Sequence, residues 1–150
     1  MLDAVAVLHA DVVSYERDPD KARNAMFRLK PIDVWKGDIS DHLNQDGVLT
    51  ISWRHHQRTP QRIQQRRLIF ALGEAKSFLL NDEVVFMTDP DYLTVLDSCG
   101  GPPHVYVPRN GLAERIEGIL KSETPVADAD ELHQDLCVLS FASFLTVHPK

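Results

Sequence analysis

Few residues in this 150-residue chain have the type and spacing for chemistry. Cys99 precedes Gly100-Gly101 in a loop, where nearby backbone amides could activate a thiol as a nucleophile. No histidine stands where it would be placed as the base for that thiol. Cys99 therefore reads as an inert thiol or as half of a disulfide with Cys137, the second of the two cysteines. An even count permits such a bridge but does not argue for it. His55 and His56 are adjacent, and neighbouring side chains on a strand point to opposite faces, so the pair does not easily chelate one metal. His9, His104 and His133 are scattered, and no Cys/His set has zinc-ligand spacing. Asp89, Asp91 and Asp97 flank a strand-like run and read as turn residues. Gly100-Gly101 lacks the lysine and helix of a phosphate-binding loop. No metal and no cofactor are expected.

Charge is the second source of chemistry. The net charge is −6, which does not advertise a nucleic-acid or membrane surface. Yet Arg54, Arg58, Arg62, Arg66 and Arg67 fall within 54–67 with no acid among them. Four of them recur every four residues, which would put them on one face of a continuous helix. Pro60 interrupts that helix, so only Arg62 and Arg66 share a stripe, with Arg67 beside them. The functional reading is an anion or single-strand site, with Trp53, Phe27 and Tyr15 as stacking partners. The bland reading is a solvated face that pairs with the chain's many carboxylates. Trp35-Lys36 and Trp53 are further candidates, as interface anchors or as core and barrel-mouth residues.

The elements that must position these residues read mainly as strands. Residues 4–16 alternate with both faces partly apolar, as in a curled sheet. Arg17 to Lys21 is a turn cluster. Residues 25–36 form a second strand, with Pro31 marking an edge or a bulge, and the stretch Ala25–Gly37 is the one around which the chain is organised. Val48–Trp53 is a third strand after an Asp46-Gly47 turn. Thr59-Pro60 is a helix start, and helical spacing of Ile63, Arg67 and Phe70 and of Leu68, Leu72 and Leu79 predicts a helix within 60–80. Leu68–Leu72 could instead be a strand ending at Gly73, since period alone does not settle a short apolar run. Asn81 to Glu83 is a turn, and Glu83–Met87, Tyr92–Leu96 and His104–Val107 read as strands. A helix capped by Asn110 runs to about Lys121 with Leu112, Ile116, Ile119 and Leu120 on one face.

Three strands, a helix, two strands and a C-terminal helix is the element order of an OB-fold, a five-stranded Greek-key barrel with a helix between strands three and four. The domain spans 1–122. Residues 123–150 comprise an acidic linker and an apolar segment, Leu132–Val147, expected to pack on the barrel or on a partner. The N-terminus has no basic leader and is not a signal peptide, so the chain is expected to be intracellular or to have lost a leader. No apolar run reaches the roughly 18 residues of a membrane span.

Over residues 4–121 the chain resembles the netrin/TIMP-like branch of OB-fold domains, including its bacterial members. The resemblance rests on a first strand at Ala4–Tyr15, the Val-x-Lys-Gly signature Val34-Trp35-Lys36-Gly37, the strand Asn81–Met87 followed by Cys99, and the helix 110–121. Inhibitory members begin with a cysteine whose free amino group chelates a protease zinc. This chain begins Met1-Leu2-Asp3, so protease inhibition by that route is not implied. The multiple disulfides of animal members are absent too.

The expected function is a non-enzymatic binding module that recognises a protein or joins a larger assembly. Its candidate surface comprises Trp35, Lys36, Trp53, Arg54, Arg58, Arg62, Arg66 and Arg67. The alternative is single-stranded nucleic-acid binding through the 54–67 arginines, and the third class is an enzyme using Cys99.

Overall fold

A computed structural model describes residues 2–19, 24–55, 59–96, 103–108 and 111–122. Eight strands and two α-helices lie among these residues. They are β1 (Ala6–Arg17), β2 (Asn24–Lys36), β3 (Leu49–Arg54), α1 (Thr59–Ile63), β4 (Arg67–Gly73), β5 (Ser77–Leu80), β6 (Glu83–Phe86), β7 (Thr94–Val95), β8 (Val105–Tyr106) and α2 (Leu112–Lys121). The architecture is mainly β, with an open antiparallel sheet in the order β3-β2-β1-β4-β7 and β8 also paired to β4. A separate two-stranded sheet holds β5 and β6.

The long β1–β2 ribbon is read correctly from alternation, and its irregularities are its useful part. Its register shifts three times: Leu8 faces Val34 while Val7 faces Lys36, Ala10 faces Pro31 while His9 faces Asp33, and Ser14 faces Arg28 while Val12 faces Leu29. Trp35, Ile32 and Val13 are the extra residues. Two residues opposite one bend a strand and increase its twist, so the ribbon coils rather than lying flat. Pro31, which cannot donate to a ladder, sits at one of these shifts.

The helix expected over 60–80 is confined to Thr59–Ile63. Beyond it, Gln65 takes a positive φ of 61°, and its amide donates to the Val12 carbonyl at 2.9 Å, which carries the chain back onto β1. Arg67–Gly73 is then a strand in register with β1 from Asp11↔Arg67 to Ala6↔Leu72. The strand alternative, Leu68–Leu72 ending at Gly73, is the one the structure forms, and the helical spacing misleads because Leu68 to Gly73 is buried on both faces. A strand covered on both sides has no period-two signature.

Two apolar layers cover β4. On the inner face Leu8, Ala10, Phe27, Leu49, Ile51 and Phe70 belong to one cluster. On the outer face Val7, Ile69, Ala71 and Tyr106 pack against Leu112, Ile116 and Ile119 of α2, the stripe that the sequence spacing predicts. The helix starts after Gly111, and the expected cap Asn110 lies outside the described residues. The strands expected at 92–96 and 104–107 shrink to two paired residues each.

Gly37 closes the Val34–Gly37 stretch for a steric reason. Its φ is +84°, and a Cβ there would overlap the Val5 carbonyl oxygen. Gly37→Ala is expected to destabilise the protein by about 2–4 kcal/mol through left-handed strain and overlap. Urea unfolding of the variant checks this, and an unchanged midpoint would show that Val5 yields freely.

Candidate functional site

The structure separates the residues singled out in the sequence. Trp53 is 2% exposed and its ring lies 5.3 Å from that of Phe27, which is itself fully buried. Trp53 is therefore a core residue and not a surface anchor, and Phe27 cannot stack on a ligand. His55 is buried with its ring edge-on to Phe27. Arg54 is exposed at the end of β3, opposite Asn24. Arg62 is on α1. Burial holds the Arg66 guanidinium below its ordinary pKa. Arg58, His56, Cys99, Cys137 and His133 lie outside the described residues, and so does the possible disulfide. Among the described residues, no group of three or more His, Cys, Asp or Glu side chains could hold a metal ion.

Trp35 and Arg67 both lie beside His9, on the outer face of β1. The bulge at Trp35 lets its ring stack on His9 at 6.0 Å, with 10° between planes. Asp33 faces His9 across the ribbon, with its carboxylate 3.9 Å from Nδ1. Arg67 stands directly opposite Asp11, donating from Nε at 2.9 Å and Nη2 at 3.4 Å. The hydrogen bond from Arg67 holds the Asp11 carboxyl below its usual range. Lys36 donates from Nζ to the Leu2 carbonyl at 2.6 Å. This strip is a set of pairs that largely neutralise one another. It offers no assembled nucleophile and base, and no uncompensated basic track for a phosphate backbone.

His9 is the unusual member. Its Nε2 is buried with no hydrogen-bond partner. Burial and then Arg67 push its pKa below the ordinary 6.5, against the opposing pull of Asp33 and Asp11. A histidine with a lowered folded pKa binds fewer protons folded than unfolded, so it contributes stability at pH above about 6.5 that is lost as pH falls below it. The wild type is expected to lose stability to urea between pH 7.5 and 5.5. His9→Phe, which keeps a ring on Trp35, should lose part of that slope, and equal slopes would exclude the account.

Sequence reasoning missed a more prominent surface. β5 and β6 form a hairpin with pairs Ser77↔Phe86, Phe78↔Val85, Leu79↔Val84 and Leu80↔Glu83. Its turn residues Asn81 and Asp82 both have positive φ, 51° and 65°, as a two-residue type I′ turn requires. Phe78, Leu80 and Val85 share one face of this arm, and Leu79, Val84 and Phe86 share the other. Leu79 is 72% exposed, Val84 58% and Leu80 54%. The signal is in the sequence: Asn81-Asp82 between Phe78-Leu79-Leu80 and Glu83-Val84-Val85-Phe86 is a hairpin pattern. Assigning 60–80 to a helix hid its first strand.

The arm has a firm base. Met87 N–H donates to the Lys76 carbonyl at 2.8 Å, and Lys76 N–H donates to Thr88 Oγ1 at 2.8 Å. The Asn24 side-chain amide donates to the Met87 carbonyl, and Asp89 N–H donates to Ser52 Oγ at 3.0 Å. Thr88, Ser52 and Asn24 are all buried, so the arm springs from a polar lock against β2 and β3. A cleft of about 280 Å³ beside that base is lined by Glu74, Lys76, Thr94, Val95 and Leu96 among others.

No protein-family model and no curated protein matches the chain. The functional reading therefore rests on geometry.

Thr88→Val keeps shape but removes the acceptor of Lys76 N–H. It is expected to cost about 1–3 kcal/mol and to speed amide exchange in 77–86 while β1 and β4 stay protected. Exchange that rises equally everywhere would mean that Thr88 supports the whole fold and not the arm.

Proposed function

We propose that this chain is a non-enzymatic protein-recognition module, an OB-like barrel that presents an apolar β-arm. The exposed β5–β6 hairpin is the observation that carries the proposal. A two-stranded ribbon is marginal in water by itself, and contiguous apolar surface of this kind marks an interaction site. Removing a Leu, Val or Phe side chain from water is worth roughly 1.5–3 kcal/mol, so a few such residues can anchor a partner. Asp82 and Glu83 at the arm's tip disfavour insertion into a bilayer, which leaves an apolar protein surface as the matching occupant.

Barrel closure is supported by a parallel bridge between Ile51 and Leu93, with Ser52 N–H donating to the Leu93 carbonyl at 2.9 Å. That contact links β3 to the segment of β7 and supports a closed circuit of the OB kind. The netrin/TIMP-like kinship is part of the same proposal, supported by the element order and by the bulge and glycine at Trp35–Gly37. Fold alone assigns no activity. The nucleic-acid alternative loses Trp53 and Phe27 to the core and Arg67 to Asp11.

A photo-reactive residue at Leu79 or Val84 is expected to give discrete adducts with another protein in the cell that makes this chain. The same group at exposed Glu117 of α2 should not. Adducts no more frequent than at Glu117 would overturn the proposal. Salt-sensitive binding of a labelled single-stranded oligonucleotide, lost in an Arg62→Ala/Arg66→Ala/Arg67→Ala variant, would replace it with the nucleic-acid reading.

A further inference from the structure

We propose that the arm's partner is a second copy of this chain, joined edge to edge through β5 in an antiparallel pair centred on Leu79. The proposal rests on the arm's being a recognition surface and names what that surface recognises.

The phase of the arm's ladder shows which groups face outward. Met87 N–H donates to the Lys76 carbonyl, so Lys76 and Met87 are a hydrogen-bonded pair. Such pairs recur at every second residue of an antiparallel ladder, which makes Phe78↔Val85 and Leu80↔Glu83 the next two. The N–H and C=O groups of Ser77 and Leu79 therefore point away from β6. Among the described residues no other strand pairs with β5. Bare edge groups of this kind are a template for the strand of another chain. β2 also lacks a second neighbour beyond Leu29. That stretch carries Pro31, two register shifts and Lys36, all of which are devices against edge pairing. β5 is Ser77-Phe78-Leu79-Leu80 and has none of them.

The edge of β5 is complementary to itself. Antiparallel pairing centred on Leu79 sets Leu79 opposite Leu79 of the second copy, which exchange both outward backbone hydrogen bonds. Phe78 then faces Leu80, Ser77 faces Asn81, and Lys76 faces Asp82. Apolar meets apolar and cation meets anion, each twice, as an isologous contact requires. Centring on Phe78 or Leu80 instead sets Lys76 against an apolar residue. The edge of β6 offers no equivalent: centring on Phe86 opposes Glu83 to Asp89, and centring on Val84 or Val85 opposes Glu83 to Val85 or Met87. The arm 77–86 has ten residues, fewer than the roughly 20–30 a side of a standard stable interface. The dimer is accordingly a weak one that exchanges with monomer.

Cross-linking between copies tests both the partner and the register. Leu79→Cys and Val84→Cys are made separately in the full-length chain with Cys99→Ala and Cys137→Ala. Both positions are well exposed, 72% and 58%, and they face one another across the hairpin. In the proposed dimer the two copies of position 79 lie about 5 Å apart. The two copies of position 84 are three strand spacings apart, about 14 Å. A thiol–thiol cross-linker of about 8 Å, between those two separations, is expected to give the covalent dimer roughly tenfold faster from position 79 than from position 84. Equal rates, faster reaction at 84, or no dimer from either would overturn the proposal. Lys76→Glu supplies a second readout, because it sets like charges opposite one another at both ends of the contact. Sedimentation equilibrium of the otherwise native chain should show a concentration-dependent dimer, and the variant's dissociation constant should rise roughly fivefold. A constant that is unchanged or lower would overturn the register. The two proposals fail separately. Photo-adducts from position 79 with proteins other than this one, without the 79-to-79 cross-link, end this inference and leave the recognition module standing. Neither product ends both.

Discussion

The pairing of β1 with β4 is the constraint on which the rest of the structure depends. β1 lies between β2 and β4 in the sheet, and β4 is apolar on both faces. A strand of that kind is stable only with a layer on each side. The coiled β1–β2–β3 ribbon encloses the inner layer, and α2 supplies the outer one. Three bulges give the ribbon its curvature, and one of them places Trp35 on the outer face against His9. The position of the Trp35 strip is thus a consequence of how β4 is covered.

The parts of the fold that could be read from the sequence are those with one dry face and one wet face. β1, β2, β3 and β6 show alternation or clear turn boundaries, and α2 shows a stripe. β4 shows neither, because burial on both sides removes the polar half of the pattern. Its run Leu68–Leu72 satisfies a helical spacing equally well, and Leu79 of β5 happens to continue that spacing, so a single period spans two strands and the connection between them.

The candidate residues were legible as types but not as partners. Arg67 and Asp11 are 56 residues apart, and only the register of β4 on β1 sets them face to face. Trp53 sits between polar Ser52 and Arg54 in the sequence, and its burial depends on which face of β3 the ribbon turns inward. The arginine series looked like one surface because it is local in sequence. Among the described residues Arg54 ends β3, Arg62 lies on α1 and Arg67 stands on β4 opposite Asp11, so these three are carried by different elements.

The contrast between the strip and the arm decides where binding free energy can come from. A partner that used Arg67 would have to replace its two-point contact with Asp11, and exchanging one exposed ion pair for another yields little. Lys36 is likewise already engaged with the Leu2 carbonyl. The arm has nothing comparable to give up. Covering Leu79, Val84 and Phe86 removes apolar area from water, and the main opposing term is the ordering of a few side chains. Its backbone is already ordered, because Thr88, Asn24 and Ser52 hold the base and the two-residue turn holds the tip. An apolar surface that is preorganised in this way offers its contact area to a partner at little further ordering cost.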